Sequence, residues 1–217
     1  MTGIRGVIFD CDGVLFSSLP ANLAYYNAIL TALGEPPVLT GDREKIHLCH
    51  TAASPQVFAG LLGEGRVQAA LSMAADLDFR RFIPEMRPEP DMADSLARLA
   101  QRFSLAVATN RGTSMDEILQ YFKLDTYFRT VITSRDVPRP KPWPDMLLLA
   151  AERLELTTGQ LLFVGDSELD QAAAQAAGMR FAAYKTDLPG DVRVGSYKEL
   201  MGILQTVSVS SRVLTNR

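Results

Sequence analysis

Short, unbroken runs of apolar residues recur along the chain and alternate with stretches of helical spacing. Five runs predict strands, at residues 4–9, 105–109, 130–133, 161–164 and 180–184. Their apolar residues are continuous rather than alternating, which is typical of strands buried on both faces of a parallel sheet. The pattern therefore predicts an α/β fold with a doubly wound, mainly parallel sheet.

Four stretches with helical periodicity accompany these strands, at residues 91–102, 114–122, 144–154 and 168–177. Ser114 and Glu117 have the spacing of a capping box, which predicts that the second of these helices begins at Ser114. Gly178 follows the fourth stretch directly and is a signal for a helix end. Strand and helix thus alternate from residue 91 onward.

Residues 16–87 interrupt this alternation. Helical spacing is found at 20–33, 55–62 and 67–83, with no convincing strand between these stretches. We therefore predict a helical domain at residues 16–87 that is inserted into an α/β core made of residues 1–15 and 88–217. The polar tail, residues 205–217, fits a last edge strand and a frayed end equally well.

The composition and net charge of the chain exclude several classes of protein. With 47% hydrophobic and 22% charged residues the chain can build a core, which excludes intrinsic disorder. The net charge of −3 gives no strong attraction to nucleic acid or anionic membrane. Cys11 and Cys49 cannot form a disulfide framework, and no apolar run approaches the ~20 residues of a membrane span. We expect a soluble cytoplasmic protein without a signal peptide, monomeric or homodimeric, that binds neither nucleic acid nor membrane.

Polar residues that could carry chemistry follow several predicted strands, at the sheet edge where such folds bind ligands. They are Asp10, Asp12, Thr109, Asn110, Lys141, Asp166 and Asp170. The four carboxylates repel one another, and the single ammonium offsets only one of their charges. Either some of the carboxylates are therefore protonated or a further cation lies among them. Oxygen ligands favour a hard divalent ion, Mg²⁺ first. A phosphate group could then bind to the metal and to Lys141, which is the arrangement that phosphoryl transfer requires.

The spacing of the acids suggests separate roles. Asp10 and Asp12 flank one residue, and a turn at Gly13 lets the second carboxylate point elsewhere. One acid can then attack phosphorus, while the other protonates the leaving group and later activates water. The spacing of four between Asp166 and Asp170 predicts that both lie on one helical face near its amino end, where they could hold a metal.

Four short motifs together resemble those of the haloacid dehalogenase-like hydrolases. They are FDCDGVL at 9–15, VATN at 107–110, PKP at 140–142 and VGDSELD at 164–170, in the order of that family. The similarity is greatest to the branch that contains phosphoglycolate phosphatases and β-phosphoglucomutases. Their helical C1 cap is inserted just after the first motif, in agreement with the helical domain predicted at 16–87.

The resemblance implies a role for each motif residue. Asp10 would be the nucleophile and Asp12 the general acid and base. Thr109 and Lys141 would hold the phosphoryl group, and Asn110 is counted with them as a phosphate-binding residue. Mg²⁺ would be bound by Asp10, the backbone carbonyl of Asp12, and Asp166, with support from Asp170.

The expected activity is that of a Mg²⁺-dependent phosphatase that hydrolyses a small phosphorylated metabolite through an aspartyl-phosphate. A phosphosugar mutase is the alternative, although residues 20–22 lack the hinge histidine of the mutases. A phospho-accepting receiver domain uses similar residues, but it needs only ~120 residues and no cap. A binding protein without turnover is the remaining alternative, since motifs alone do not prove catalysis.

Several side chains of the inserted domain could select the substrate. His47 and His50 are candidate substrate contacts, although a lone histidine is more often structural or on the surface. Arg43, Lys45, Arg80 and Arg81 are available for an acidic substrate group, with solvation as the alternative role for each.

Overall fold

The computed structural model describes the backbone of residues 3–213 and the side chains of residues 3–205. Its strands are β1 (Gly6–Phe9), β2 (Phe16–Ser17), β3 (Arg87–Pro88), β4 (Ser104–Thr109), β5 (Thr130–Thr133), β6 (Leu161–Gly165), β7 (Arg180–Tyr184) and β8 (Val192–Val194). Six of them form a parallel sheet in the order β5-β4-β1-β6-β7-β8. The five predicted strands are all in this sheet, which confirms the predicted fold class.

The helices are α1 (Leu19–Ala32), α2 (Arg43–Thr51), α3 (Ser54–Leu62), α4 (Val67–Asp76), α5 (Met92–Leu99), α6 (Met115–Tyr121), α7 (Asp145–Arg153), α8 (Glu168–Ala177) and α9 (Tyr197–Val213). The first four belong to the inserted segment and the others to the α/β core. α8 has the predicted bounds, and Gly178 ends it in the left-handed conformation with φ of 62°. None of the described helices combines the length and apolar character needed to cross a membrane.

Helices cover both faces of the sheet, and successive residues of a strand pack against the helices of opposite faces. Val7 and Phe9 of β1 pack with α5, α6 and α9. Ile8, between them, packs on the opposite face with α7 and α8. Burial on both faces explains why the strands read as continuous apolar runs.

The inserted helices form a domain, the cap, with a core of its own. Tyr26 and Ile29 of α1 pack there with Val57 and Phe58 of α3. Its second helix, α2, was not predicted, and the stretch expected to be helical over 67–83 is shorter: α4 ends at Asp76, and two 3₁₀ turns follow at 79–81 and 83–85. The antiparallel ribbon β2–β3 joins cap and core, with Phe16 opposite Pro88 and Ser17 opposite Arg87.

The sequence leaves the tail open between an edge strand and a frayed end. Its described part adds no strand, because α9 continues to Val213 and the outer strand of the sheet is β8; residues 214–217 lie outside the described range. One sequence-based expectation outside the cap is wrong: the capping box at Ser114 and Glu117 does not form. Ser114 has helical backbone angles rather than the extended ones of a capping residue, and its hydroxyl accepts from Arg111 at 3.4 Å instead.

Candidate active site

The turn after β1 brings the first acids of the site together. Asp10 follows β1, and its N–H donates to the carbonyl of Val164 in β6 at 2.9 Å. Gly13 turns the chain with φ of 76°, which favours glycine. A Cβ at this position would lie 2.0 Å from Oδ2 of Asp166, so only glycine lets that carboxylate come so close. The turn thus places the acids of two motifs side by side.

Asp10, Asp166 and Asp170 form a carboxylate cluster in which one oxygen of each lies within 4.8 Å of the others. Burial raises the pKa of Asp10 to about 7; Lys141 opposes this shift, and Asp170 adds to it. Burial and the charges of Asp170 and Asp10 raise the pKa of Asp166 to about 9. Carboxylates this crowded are stabilised in their ionised form by a cation, and an all-oxygen donor set suits a hard ion such as Mg²⁺. The residues present therefore fit the predicted metal.

Lys141 provides the positive charge of this cluster. Its side chain is almost fully buried, and Nζ lies 2.8 Å from Oδ1 of Asp10 and 2.6 Å from Oδ1 of Asp170. Burial acts to lower the pKa of Lys141, but the charges of Asp10 and Asp170 outweigh it and raise the pKa above its ordinary value. The ammonium is thus held permanently charged beside the predicted nucleophile.

Asp170 is fully buried and uses both carboxylate oxygens within the protein. Oδ1 accepts from Lys141, while Oδ2 accepts from the hydroxyl and N–H of Ser167 at 2.6 and 3.1 Å. The Ser167 hydroxyl in turn accepts from the N–H of Asp170, which makes a capping box at the start of α8. Asp166 lies before this helix, so the prediction that both acids share a helical face is wrong. The loop after β6, rather than a helix, brings them together.

Asp12 is bonded by both cap and core. Its Oδ1 accepts from Arg111 at 2.6 Å, from Asn22 at 3.0 Å and from the hydroxyl of Ser18. Burial acts to raise the pKa of Asp12, but Arg111, followed by His50, outweighs it and lowers the pKa below its ordinary value. Asp10 and Asp12 therefore have pKa values shifted in opposite directions, a pattern that distinguishes acids with different roles.

Arg111 was missed in the sequence, although it directly follows the second motif. Its guanidinium is buried, bonds to Asn22 at 2.5 Å and lies 5.0 Å from the ring centre of Phe79. An arginine after a strand is usually solvated, and the pattern gave no reason to pair it with Asp12. Only the arrangement of the cap over the turn reveals this contact.

Thr109 ends β4, and Asn110 follows it on the same rim of the sheet. Thr109 is fully buried, and its hydroxyl accepts from the N–H of Arg111 at 3.2 Å. The side-chain amide of Asn110 donates to the carbonyls of Thr51 and Lys141 at 2.9 and 3.1 Å, and it accepts from the N–H of Lys141 at 3.0 Å. That amide therefore holds the Lys141 loop and the cap in place, while the role of Asn110 in binding phosphate stays a prediction.

A cavity of about 480 Å³ lies between cap and core above these residues. Asp10, Asp12, Thr109 and Asn110 line its core side. The cap side combines aromatic and aliphatic residues with polar ones; they include Tyr25, Tyr26, Leu71, Ala74, Leu77 and Phe79, together with Asn22, His50, Thr51, Ser54 and Gln56. The cavity therefore has charged groups on its core side and a mixed polar and apolar surface on its cap side.

The two histidines of the cap have different surroundings. His50 lines the cavity; burial lowers its pKa, Asp12 opposes this shift, and Nδ1 is buried without a hydrogen-bond partner. His47 is exposed, and its Nε2 lies 2.5 Å from Oε1 of Glu168 at the start of α8, so it joins cap to core. The four basic residues proposed from the sequence for an acidic substrate group, namely Arg43, Lys45, Arg80 and Arg81, are exposed and do not line the cavity.

Comparisons with known proteins agree with the motifs and the fold. The sequence profile of haloacid dehalogenase-like hydrolases matches residues 7–184. The phosphoglycolate phosphatase of Salmonella paratyphi A is 34% identical over 206 residues, which cover 82% of this chain and 80% of that protein. The phosphoglycolate phosphatase of Escherichia coli K12 is also 34% identical, over 203 residues.

Solved structures show the same architecture. A haloacid dehalogenase-superfamily hydrolase of subfamily IA from Geobacter sulfurreducens superposes with a TM-score of 0.82 at 38% identity, covering 92% of this chain and 99% of that one. CbbY of Rhodobacter sphaeroides, solved in complex with phosphate, shares the fold with a TM-score of 0.76 at 22% identity, covering 91% of this chain and 96% of that one. The predictions of an enzyme and of its family are confirmed: the chain belongs to the haloacid dehalogenase-like hydrolases.

Proposed function

We propose that the protein is a Mg²⁺-dependent phosphatase that hydrolyses a small phosphorylated metabolite through an aspartyl-phosphate on Asp10, as phosphoglycolate phosphatases would. The observation that carries the proposal is the buried ammonium of Lys141 beside Asp10, with Asp166 and Asp170 completing a carboxylate cluster and Asp10 itself lining the cavity between cap and core. This arrangement combines a nucleophile, a fixed cation and a metal-binding donor set. The relatives at 34% identity, which are phosphoglycolate phosphatases, support the same activity.

Each residue has a defined part in the proposed reaction. Asp10 attacks phosphorus in line, and the bond from phosphorus to the leaving oxygen breaks. Asp12 gives a proton to that oxygen, and then takes one from the water that hydrolyses the aspartyl-phosphate. Lys141 and the Thr109 hydroxyl hold the phosphoryl oxygens, while Asn110 keeps the Lys141 loop in position.

Asp10, the backbone carbonyl of Asp12, and Asp166 would hold Mg²⁺. Asp170 acts behind them, because its oxygens are bonded to Lys141 and Ser167. Mg²⁺ would neutralise charge on the transferring phosphoryl group. The two cysteines are buried and unpaired, which fits the reducing cytoplasm in which we propose that the enzyme acts.

The test is phosphate release from a panel of phosphate monoesters that includes 2-phosphoglycolate, with Mg²⁺ or with EDTA. Asp10→Asn should abolish release, whereas Asp125→Asn, which removes an exposed acid outside the cavity, should not change it. Borohydride trapping should modify the peptide that contains residue 10 in the wild type. Release that persists in EDTA or in Asp10→Asn would contradict the mechanism. Release that requires a bisphosphate primer would indicate a phosphosugar mutase instead.

A further inference from the structure

The buried carboxylate of Glu89 lies outside both the cavity and the carboxylate cluster. Its Oε2 accepts from the hydroxyl of Tyr184 at 3.0 Å and pairs with the ammonium of Lys185. Tyr184 ends β7 in the core, and Lys185 follows it directly. Burying a carboxylate costs free energy unless it is bonded and paired, and Glu89 has no part in the proposed reaction. Its position in the chain indicates what these contacts do.

Glu89 directly follows β3, at the point where the chain returns from the cap to the core. Its N–H donates at 3.0 Å to the carbonyl of Leu15, which directly precedes β2 on the way into the cap. The main chain of Glu89 thus joins the two linkers between cap and core, while its side chain joins them to β7. A cap that opens and closes must bend at these linkers, because a hinge is a few residues that absorb the change in backbone angles. Glu89 therefore fixes the core side of the hinge.

The contact between Glu89 and Leu15 also reaches the turn that carries Asp12. Leu15 closes this turn, since its N–H donates to the carbonyl of Cys11 at 2.9 Å. The carbonyl of the preceding residue, Val14, accepts from the hydroxyl of a tyrosine at the start of α9 at 3.2 Å. The core thus holds the turn at two successive carbonyls. Without these contacts, bending of the linkers would be passed on to Asp12.

We propose that Glu89 is a positioning residue that confines bending of the cap linkers to β2 and β3, and so keeps Asp12 in place while the cap moves. Asp10 and Lys141 do not depend on this anchor, because the main chain of the first is bonded to β6 and that of the second to Asn110. Loss of the anchor should therefore impair proton transfer by Asp12 more than binding of the phosphoryl group. The inference rests on the proposed function and adds to it a residue that acts through the general acid.

Two phosphate esters that differ in their need for a proton test this role. The alcohol of an alkyl ester from the panel above, such as 2-phosphoglycolate, leaves poorly unless Asp12 protonates it, whereas p-nitrophenolate is a stable anion that leaves without a proton. kcat/KM covers the steps up to release of the alcohol, so it reports the acid step and not the later hydrolysis. A misplacement of about 1 Å can cost on the order of a hundredfold in rate. With Mg²⁺, Glu89→Leu should therefore lower kcat/KM at least tenfold for the alkyl ester and less than threefold for p-nitrophenyl phosphate.

Three more variants separate positioning from a general loss of structure. Glu89→Gln keeps an acceptor for the hydroxyl of Tyr184 and should recover most of the loss. Lys185→Met removes the half-exposed partner without altering the linkers, and should lower kcat/KM about threefold for the alkyl ester alone, so it carries the test even where Glu89→Leu does not fold. Glu85→Leu makes the same change at an exposed acid of the cap and should affect neither ester. An equal fall for both esters in Lys185→Met, or no fall for either, would refute the proposal.

Hydrogen exchange separates this inference from the proposed function, because it needs no turnover. In Lys185→Met and Glu89→Leu, the amides of residues 11–16 should exchange severalfold faster than in the wild type, while those of α7 should be unchanged. This result would support the anchor even if no ester were hydrolysed, in which case only the phosphatase assignment would fail. Unchanged exchange at residues 11–16, or equally faster exchange in α7, would overturn the anchor while release of phosphate still supported the phosphatase.

Discussion

The substitution Asp166→Asn should stabilise the metal-free protein while it abolishes activity. The carboxylate of Asp166 is crowded by Asp10 and Asp170, and its pKa is about 9 in the folded protein, against an ordinary value of 3.8. A carboxyl group whose folded pKa is raised favours folding fully below pH 4, and this contribution is lost as the pH rises towards 9. At pH 7 this carboxyl group is ionised in the unfolded protein but protonated in the folded one. The folded state is therefore less stable at pH 7 than in acidic solution.

The magnitude follows from the pKa difference. Between the ordinary value of 3.8 and pH 7 the free-energy cost reaches an upper limit of roughly 4 kcal/mol. Because Asp10 titrates in the same cluster and shares this cost, we expect asparagine to recover about 2 kcal/mol. For a chain of this length that raises Tm by roughly 4–8 °C in EDTA.

Mg²⁺ should reverse the order of the two proteins. A ligand present at a hundred times its Kd stabilises the folded state by about 2.7 kcal/mol. The wild type should therefore gain roughly 5–11 °C on saturation with Mg²⁺, whereas Asp166→Asn, which lacks one of the proposed metal ligands, should gain little. The wild-type gain should be larger at pH 8 than at pH 5, because the carboxylates must be ionised to bind the ion.

Thermal unfolding followed by circular dichroism, in EDTA and in a MgCl₂ series, measures both effects. Asp125→Asn is the matched control, since it removes an exposed acid outside the cluster and should behave like the wild type. A metal-free Asp166→Asn protein that is less stable than the wild type at pH 8 would refute the electrostatic reasoning. An equal Mg²⁺-induced shift in both proteins would refute the assignment of the ion to this cluster.

Three further substitutions probe other contacts of the site. Lys141→Met removes an ammonium that is buried between two carboxylates, and activity should be lost. Urea unfolding should show a free energy of unfolding lower by roughly 3–5 kcal/mol at pH 7 and by less at pH 5. A decrease in the free energy of unfolding that is the same at both pH values would contradict this reasoning. Gly13→Ala places a methyl group against the carboxylate of Asp166 in a left-handed turn, so kcat should fall at least tenfold, and unchanged kcat would show that the close approach is not needed. His47→Ala breaks an exposed contact with Glu168 that is worth at most about 1 kcal/mol, so Tm should hardly change. KM should rise severalfold, because this contact joins the cap to the core. A fall in kcat with unchanged KM would argue against this role.

The sheet could be read from the sequence because its strands are buried on both faces. Each predicted strand is an uninterrupted apolar run, and each lies in the parallel sheet with bounds within two residues of those predicted. α8 was predicted in full because Gly178 marks its end unambiguously. The motif residues could be placed on one rim for the same reason, since parallel strands deliver their carboxyl ends to a common edge.

One helix of the cap, α2, was not predicted, because it buries little of its surface. α2 has the sequence REKIHLCHT, in which only Cys49 is buried, so it lacks an apolar stripe that could reveal it. Its importance is not local: it carries His50 to the cavity and His47 to α8. Such contacts between distant segments leave no periodic signal in the chain.

The sequence spacing of Asp166 and Asp170, the acids of the fourth motif, gave a wrong prediction of how they are positioned. A separation of four residues predicts neighbours on a helix, but the helix begins only at Glu168, and the carboxylate of Asp170 turns back to accept from the N–H groups of Asp166 and Ser167, so Asp166 lies in the preceding loop. The capping box expected at Ser114 fails because this residue already has helical backbone angles, which point its hydroxyl away from the N–H groups of the first turn. In both places the local backbone, rather than the spacing of the residues, decided the outcome.

The two acids of the first motif are controlled by different cations, and this has a consequence for the proposed reaction. Lys141 faces Asp10 from the core alone, so the nucleophile keeps its surroundings wherever the cap lies. Asp12 is bonded by Arg111 of the core and by Asn22 of the cap, and these contacts favour its ionised form. That form suits the hydrolysis of the aspartyl-phosphate, whereas protonation of the leaving alcohol requires a proton on Asp12. The first step therefore requires a proton on Asp12 and a weaker contact between its carboxylate and Arg111.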